Sequence, residues 1–264
     1  MMEIILVNND TSNNKLTLLF QGMDAAFVNG LRRSIISRVP TLAIEDIEFK
    51  NNSSALFDEV LAHRVGLIPL TTDLSSYNFR DKCSCNGAGC GLCEVTFTIK
   101  EKGPQTIMAS QLKSNDPKVI PAIGNLPIVK LLENQEIEFT AKAILGTGKE
   151  HAKWSPGLVF YKNKPVINIK NEKCENASEI MNICPQGIFE LKNKKLSVNP
   201  DKIMDCRLCE HCSEISDCVD FSTKDNEFIF NVESWGQLST FEMVEEGAKI
   251  MLDIADDFEK SIKA

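Results

Sequence analysis

All ten cysteines of this 264-residue chain fall in two short stretches, and that placing limits its fold more than any other feature. The first stretch is Cys83-x-Cys85-x4-Cys90-x2-Cys93, four thiols within eleven residues. The second runs from Cys174 to Cys218. It holds the tight triplet Cys206-x2-Cys209-x2-Cys212 and, upstream, a Cys184 followed directly by Pro185. The start, Met1-Met2-Glu3-Ile4, has no basic region leading into an apolar core, so no secretory signal is read. No apolar run approaches the ~20 residues of a membrane helix. The best candidate, Val119 to Val129, is broken by Pro121, Gly124 and Pro127. A cytoplasmic location is therefore expected, with no membrane partner. Thiols stay reduced there, and clustered cysteines read as metal sites before disulfides.

In the first stretch Gly87, Gly89 and Gly91 allow the backbone to fold tightly around an ion. Four thiolates with no free position describe a closed, structural tetrahedral zinc site. Free thiols and mononuclear iron are the alternatives, because spacing alone does not choose the metal. The second stretch can be counted back from Cys184. A run of the form C-x2-C-x2-C-x3-C-P would begin at Cys174, with Ala177 and Ile180 in its two middle positions. This resembles a two-cluster bacterial ferredoxin in which one cluster site has decayed. In such runs the fourth cysteine serves the other cluster. The resemblance thus implies one [4Fe-4S] cluster, or [3Fe-4S] after loss of an iron, on Cys184, Cys206, Cys209 and Cys212. Cys174 and Cys218 would be remnants of the lost site and neighbours in space. They are open to three readings, as free thiols, a disulfide or vestigial ligands, and a reduced compartment favours free thiols. Ser216 departs from the pattern, standing where the second run's fourth cysteine belongs. A competing zinc site would use Cys206, Cys209, Cys212 or His211, and Cys218, but it leaves Cys184-Pro185 unexplained.

The rest of the chain reads as α+β. Residues 3–7 and 15–20 are strands around a polar turn, which predicts a hairpin. Asp24 caps a helix with Phe27, Val28, Leu31 and Ile35 on one face, and Pro40 stops it. Gly30 inside that helix costs roughly 1 kcal/mol relative to alanine, which a close helix–helix approach there would explain. A strand follows over 42–49, then a helix from Ser54 to near Gly66. Val95, Phe97 and Ile99 alternate with polar residues, as do Ile137, Phe139, Ala141, Ala143 and Leu145, so the middle is strand-rich. Strands resume at 158–161, 166–169 and around 228–232. Ser239-x-x-Glu242 is a capping box opening a terminal helix. Along that helix Phe241, Val244, Ala248, Met251, Ala255 and Phe258 recur at steps of three and four, an apolar surface too broad for one neighbour.

Several runs carry a wider resemblance. FVNGLRRSIISRVP from Phe27 to Pro40, DEVLAHRVGLIPL from Asp58 to Leu70, GTGKEHAKWSP from Gly146 to Pro156, and VESWG from Val232 to Gly236 are similar to the alpha-like subunits of RNA polymerase. The match covers nearly the whole chain outside the second cysteine stretch. A ferredoxin-type insert narrows the resemblance to the archaeal branch of that family, counterpart of the eukaryotic third-largest subunit. The family implies a dimerization domain from residues 1–41, 158–167 and 223–264, and an insert domain over 42–157 that carries the zinc loop. A ferredoxin-like iron–sulfur module would occupy 168–222. It implies a non-catalytic assembly subunit with no catalytic residues of its own. Such a subunit pairs with the small subunit L and then receives subunits N and P and the second-largest subunit. The partner interface would be formed by Phe27, Leu31, Ile35, Phe241, Val244, Ala248, Met251, Ala255 and Phe258.

Two other functions are weighed against this. A free-standing iron–sulfur electron carrier would use the second stretch, but about 50 residues of module leave the rest without flavin, haem or nucleotide motifs. A zinc-dependent nucleic-acid binder is disfavoured by the net charge of -8, and direct nucleic-acid binding is not expected.

Overall fold

The computed structural model describes residues 2–170, 174–192 and 195–263. In chain order the elements are β1 (Glu3–Asp10), β2 (Lys15–Gln21), α1 (Ala25–Arg38), β3 (Pro40–Asn52), α2 (Asp58–Gly66), β4 (Val95–Lys102), β5 (Gln105–Met108), β6 (Lys113–Ser114) and β7 (Pro127–Leu131). There follow β8 (Glu136–Thr147), β9 (Gly157–Ile169), α3 (Ala177–Ile183), β10 (Phe189–Lys192), β11 (Lys195–Val198), α4 (His211–Ile215), β12 (Val219–Ser234) and α5 (Thr240–Lys263). The expected α+β class and the N-terminal hairpin are both present. The chain divides into two compact units.

One unit gathers residues 1–8, 17–29 and 160–231. It holds most of a four-stranded sheet in the order β1-β2-β12-β9. Aromatic packing sets that sheet's buried side: Phe20 stacks on Phe230 at 4.9 Å, and Tyr161 meets Phe228 edge-on at 5.6 Å. Its other side mixes polar pairs, Thr17 donating to Asn231 and Gln21 to Glu227, with the buried Leu19 and Ile229. β9 is one continuous strand where the sequence suggests two, and β12 begins at Val219, well before the expected 228. The same unit contains the β10-β11 hairpin and a small core of Ile167, Ala177, Ile180, Ile188, Phe189, Leu196 and Val219, into which Cys174, Cys206 and Cys212 are built.

The second unit gathers residues 9–16, 30–159 and 232–264. Its sheet has the order β3-β8-β4-β6, with β5 and β7 paired separately. The alternation predicted for β4 and β8 is the packing pattern: Val95, Phe97, Ile99, Ile137, Phe139, Ala141 and Ala143 are all in the core. α2 starts at Asp58 rather than Ser54. Ser54 is held in a turn instead, donating from its amide and hydroxyl to Asn52 Oδ1, while its own Oγ accepts from the Leu56 amide.

α1 and α5 keep their expected caps. The Phe27 amide donates to Asp24 Oδ1 at 2.7 Å, and Ser239 and Glu242 exchange hydrogen bonds at 2.8 and 3.2 Å. The face of α1 requires a correction. The sequence assigns Leu31 and Ile35 to a partner interface, yet both are buried within this chain. Residues 30–38 of α1 pack under α5. A Cβ placed at Gly247 would lie 2.5 Å from Ile35 Cγ1, and Ser34 Oγ donates to the Gly247 carbonyl at 2.8 Å. The tight approach is therefore at Gly247, not Gly30, where a Cβ would meet only the end of Met251 at 3.4 Å.

Candidate metal centres and an exposed helix face

The loop between α2 and β4 brings Cys83, Cys85, Cys90 and Cys93 together, with all four sulfurs within 4.8 Å of one another. The backbone does this through left-handed residues at Asn86, Gly87 and Gly89. Sulfur separations are 3.6 Å for Cys83–Cys90, 3.6 Å for Cys85–Cys93 and 3.9 Å for Cys90–Cys93. Metal–sulfur bonds of about 2.3 Å in a tetrahedron place thiolates about 3.8 Å apart, so the quartet has the size of a single-ion cage. Burial pushes the Cys93 thiol up to about 12. Burial also opposes ionisation of Cys85, but the Gly89 amide and hydrogen bonds from Cys83, Cys93 and Cys90 take it down to about 6. Full ionisation of all four so close together calls for a cation among them.

Charged neighbours brace the loop. Arg80 donates from Nε to the Gly87 carbonyl at 3.3 Å and pairs with Glu94 at 2.9 Å. Lys142 approaches the other Glu94 oxygen at 3.6 Å. Gly89 also has to be a glycine for space, since a Cβ there would lie 2.5 Å from Glu94 Oε1. The sequence supplies the ligand candidates but not this brace. Arg80 and Glu94 flank the cysteines on either side, and no spacing rule marks them.

Cys184, Cys206, Cys209 and Cys212 line one small pocket with Ile167, Ile183, Ile188, Phe189 and Phe221. Cys184 ends α3, Cys206 follows a short turn of helix over 203–205, and Cys212 lies in α4. Within the triplet, Leu208 and Glu210 both take left-handed φ values, 56° and 63°. Such a backbone costs about 1–2 kcal/mol per non-glycine residue, and here it turns the loop around its own thiols. Burial raises the Cys206 thiol, opposed by a hydrogen bond from the Leu208 amide and by the charge of Lys162. Burial likewise raises Cys212, reinforced by Cys206 and the other two thiols. The Cys206 and Cys212 thiols are thus both raised by burial in this pocket, with the neighbouring thiols adding to the effect.

Cys174 and Cys218 are joined as a disulfide, with Cα atoms 5.9 Å apart. Free thiols are the favoured expectation for this pair, and the structure departs from it. Cys174 also lies 3.3 Å from Ser216 Oγ.

Of the residues assigned to a partner, those on α5 stay open. Phe241 and Phe258 are 49% and 67% exposed, Ala248 and Ala255 are exposed, and Val244 and Met251 are half-buried. Leu252, Ile254 and Ile262 add to the same uncovered surface, and Phe27 on α1 is exposed as well. Among the described residues, no helix is long and apolar enough to cross a membrane.

Comparison with known proteins places these features. Residues 46–158 match the RNA polymerase Rpb3/RpoA insert domain. With the mixed α+β fold, this defines the class as the alpha-like subunits of RNA polymerase. The DNA-directed RNA polymerase subunit Rpo3 of Methanosphaera stadtmanae is 37% identical over 258 residues, covering 94% of each chain. The corresponding protein of Methanosarcina acetivorans is 36% identical with the same coverage. That of Pyrococcus furiosus is 33% identical over 94% of this chain and 93% of its own. The chain belongs to the family of archaeal RNA polymerase subunit Rpo3, and is a component of DNA-directed RNA polymerase.

Proposed function

We propose that this chain is a non-catalytic assembly subunit of the cytoplasmic enzyme, pairing through α5 with a small partner of the subunit L type. The pair then forms the platform for subunits N and P and the second-largest subunit. The observation that carries the reading is the run of Phe241, Leu252, Ile254, Phe258 and Ile262 left uncovered on a 24-residue helix. Exposed apolar surface of this extent marks a protein interface, and obligate interfaces of this kind exceed about 2,000 Å². The dimerization surface would come from residues 1–41, 158–167 and 223–264. The insert domain would be 42–157, and the ferredoxin-like module 168–222. In this reading Cys83, Cys85, Cys90 and Cys93 hold structural zinc. Cys184, Cys206, Cys209 and Cys212 hold an iron–sulfur cluster that stabilises or regulates the module. The alternative, a free-standing electron carrier, gains no support from relatives that match 94% of the chain as polymerase subunits.

The test is co-purification of the full chain with subunit L. F241D, A248D and F258D together place three charges on the exposed stripe and leave the buried Met243 and Gly247 untouched. Loss of the complex, with zinc content and helical circular dichroism retained, is the expected result. A complex of unchanged yield refutes the assigned surface.

A further inference from the structure

The second cysteine site is lined by Arg207, Glu210 and His211 of its own loop, and a further charged side chain reaches it from the four-stranded sheet. Lys162, on β9, is half-buried, and its ammonium donates a 2.8 Å hydrogen bond to the main-chain carbonyl of Cys206. The next lysine along the strand, Lys164, turns to Glu227 at 2.6 Å. Among the described residues, no carboxylate lies within ion-pairing distance of Lys162. The Cys206 carbonyl is thus anchored to β9 by Lys162. A charge partly withdrawn from water is weakly screened, so it acts on its neighbours more strongly than a surface lysine does.

We propose that Lys162 is the positioning residue of the second thiol site: it pins the first ligand of the triplet to β9, and its positive charge stabilises the more negative state of a cluster held there. The inference rests on the iron–sulfur reading above. It adds a physical link between the site and the sheet, since the same strand that carries Lys162 carries Tyr161, packed on Phe228. Loss of the cluster would release Cys206, and with it the hydrogen-bond partner of a half-buried ammonium on β9.

The experiment uses the full chain, loaded anaerobically with iron and sulfide, as wild type, K162M, K162R and K164M. Two quantities are read: iron release to a ferrous chelator, and the midpoint potential from a dithionite titration followed by electron paramagnetic resonance. Removing a charge-assisted hydrogen bond speeds release in K162M by about tenfold. Its midpoint moves to a more negative potential, because the reduced cluster loses a compensating positive charge. K162R keeps the charge and so the potential, but its bulkier donor disturbs the Cys206 carbonyl and release still quickens. K164M leaves both quantities at wild-type values. Wild-type release and potential in K162M, or equal shifts in K164M, overturn the role given to Lys162. If K162M does not load, K162R decides: an unchanged release rate overturns the proposal. A wild-type chain that takes up no iron and sulfide overturns the iron–sulfur reading itself and the proposal with it.

Discussion

Two glycines in the paired helices should respond in opposite directions to the same substitution. In a helix, glycine to alanine gains about 1 kcal/mol in propensity wherever the methyl has room. At Gly247 it has none. The new Cβ would sit 2.5 Å from Ile35 Cγ1 and 3.5 Å from that residue's Cα and Cβ. Ile35 is fully buried and β-branched, so it cannot swing aside within its helix. Separating the helices instead strains the 2.8 Å bond from Ser34 Oγ to the Gly247 carbonyl, a contact worth about 1 kcal/mol. Overpacking of this kind costs about 1–3 kcal/mol. After the propensity gain, a net loss of up to about 2 kcal/mol remains for G247A. At Gly30 the nearest atom is Met251 Cε at 3.4 Å, the mobile end of a flexible chain, so G30A keeps most of its gain. A chain of two units does not unfold in one step, so amide hydrogen exchange along α5 is the appropriate readout. G247A is expected to speed exchange there by about tenfold, since about 1.4 kcal/mol is a factor of ten, and G30A to slow it. Exchange in G247A at or below the wild-type rate refutes the close-approach argument.

C93S removes the most buried thiol of the single-ion cage. On the proposed zinc reading it should abolish zinc uptake, followed by atomic absorption, whereas R80M, which keeps all four thiols, should take up zinc but release it faster to a chelator. Zinc bound equally well by C93S would refute the quartet. Glu227 supplies a pH test. Hydrogen bonds from Lys164 and then Lys224, with Gln21, hold its carboxyl down at about 2, against an ordinary value of 4.5. A depressed folded-state value means the stabilisation is complete above about 4.5 and disappears as the pH falls toward 2. The wild type should therefore lose more protection across that window than E227Q in amide hydrogen exchange along β12, the acid loss of the thiol sites being common to both. Parallel profiles in the two proteins would show that Glu227 contributes nothing.

Local patterns are legible in the sequence because their causes are local. The α5 capping box, the Asp24 cap and the alternation in β4 and β8 depend on residues a few positions apart. The Cys83–Cys93 cage is legible for the same reason. β9 reads as two strands because Tyr161-Lys162-Asn163-Lys164-Pro165 interrupts its apolar pattern. The partners that make those lysines acceptable in a strand, the Cys206 carbonyl and Glu227, are 44 and 63 residues away. The apolar stripe of α1 shows the same limit. Periodicity reveals that Leu31 and Ile35 must be covered, but not that α5 of the same chain covers them. The adjacency of Cys174 and Cys218 is what the ferredoxin resemblance implies, whereas their joining depends on the redox state of the surroundings.

The two cysteine stretches solve the same physical problem at different scales. The core around Ile180, Ile188 and Leu196 draws on α3 and α4, of seven and five residues, and on two four-residue strands. So little apolar surface stabilises a fold weakly, and small cores of this kind depend on cross-links. The Cys174–Cys218 disulfide closes one end of the segment, spanning 44 residues. On the proposed reading, a cluster on Cys184, Cys206, Cys209 and Cys212 closes the other. The Cys83–Cys93 loop gathers its own four thiols, two of them buried, and is braced by the Arg80–Glu94 pair. On that reading, cross-linking by thiols falls where the chain is too short to bury enough of itself, while α5 carries its exposed apolar stripe without a cross-link.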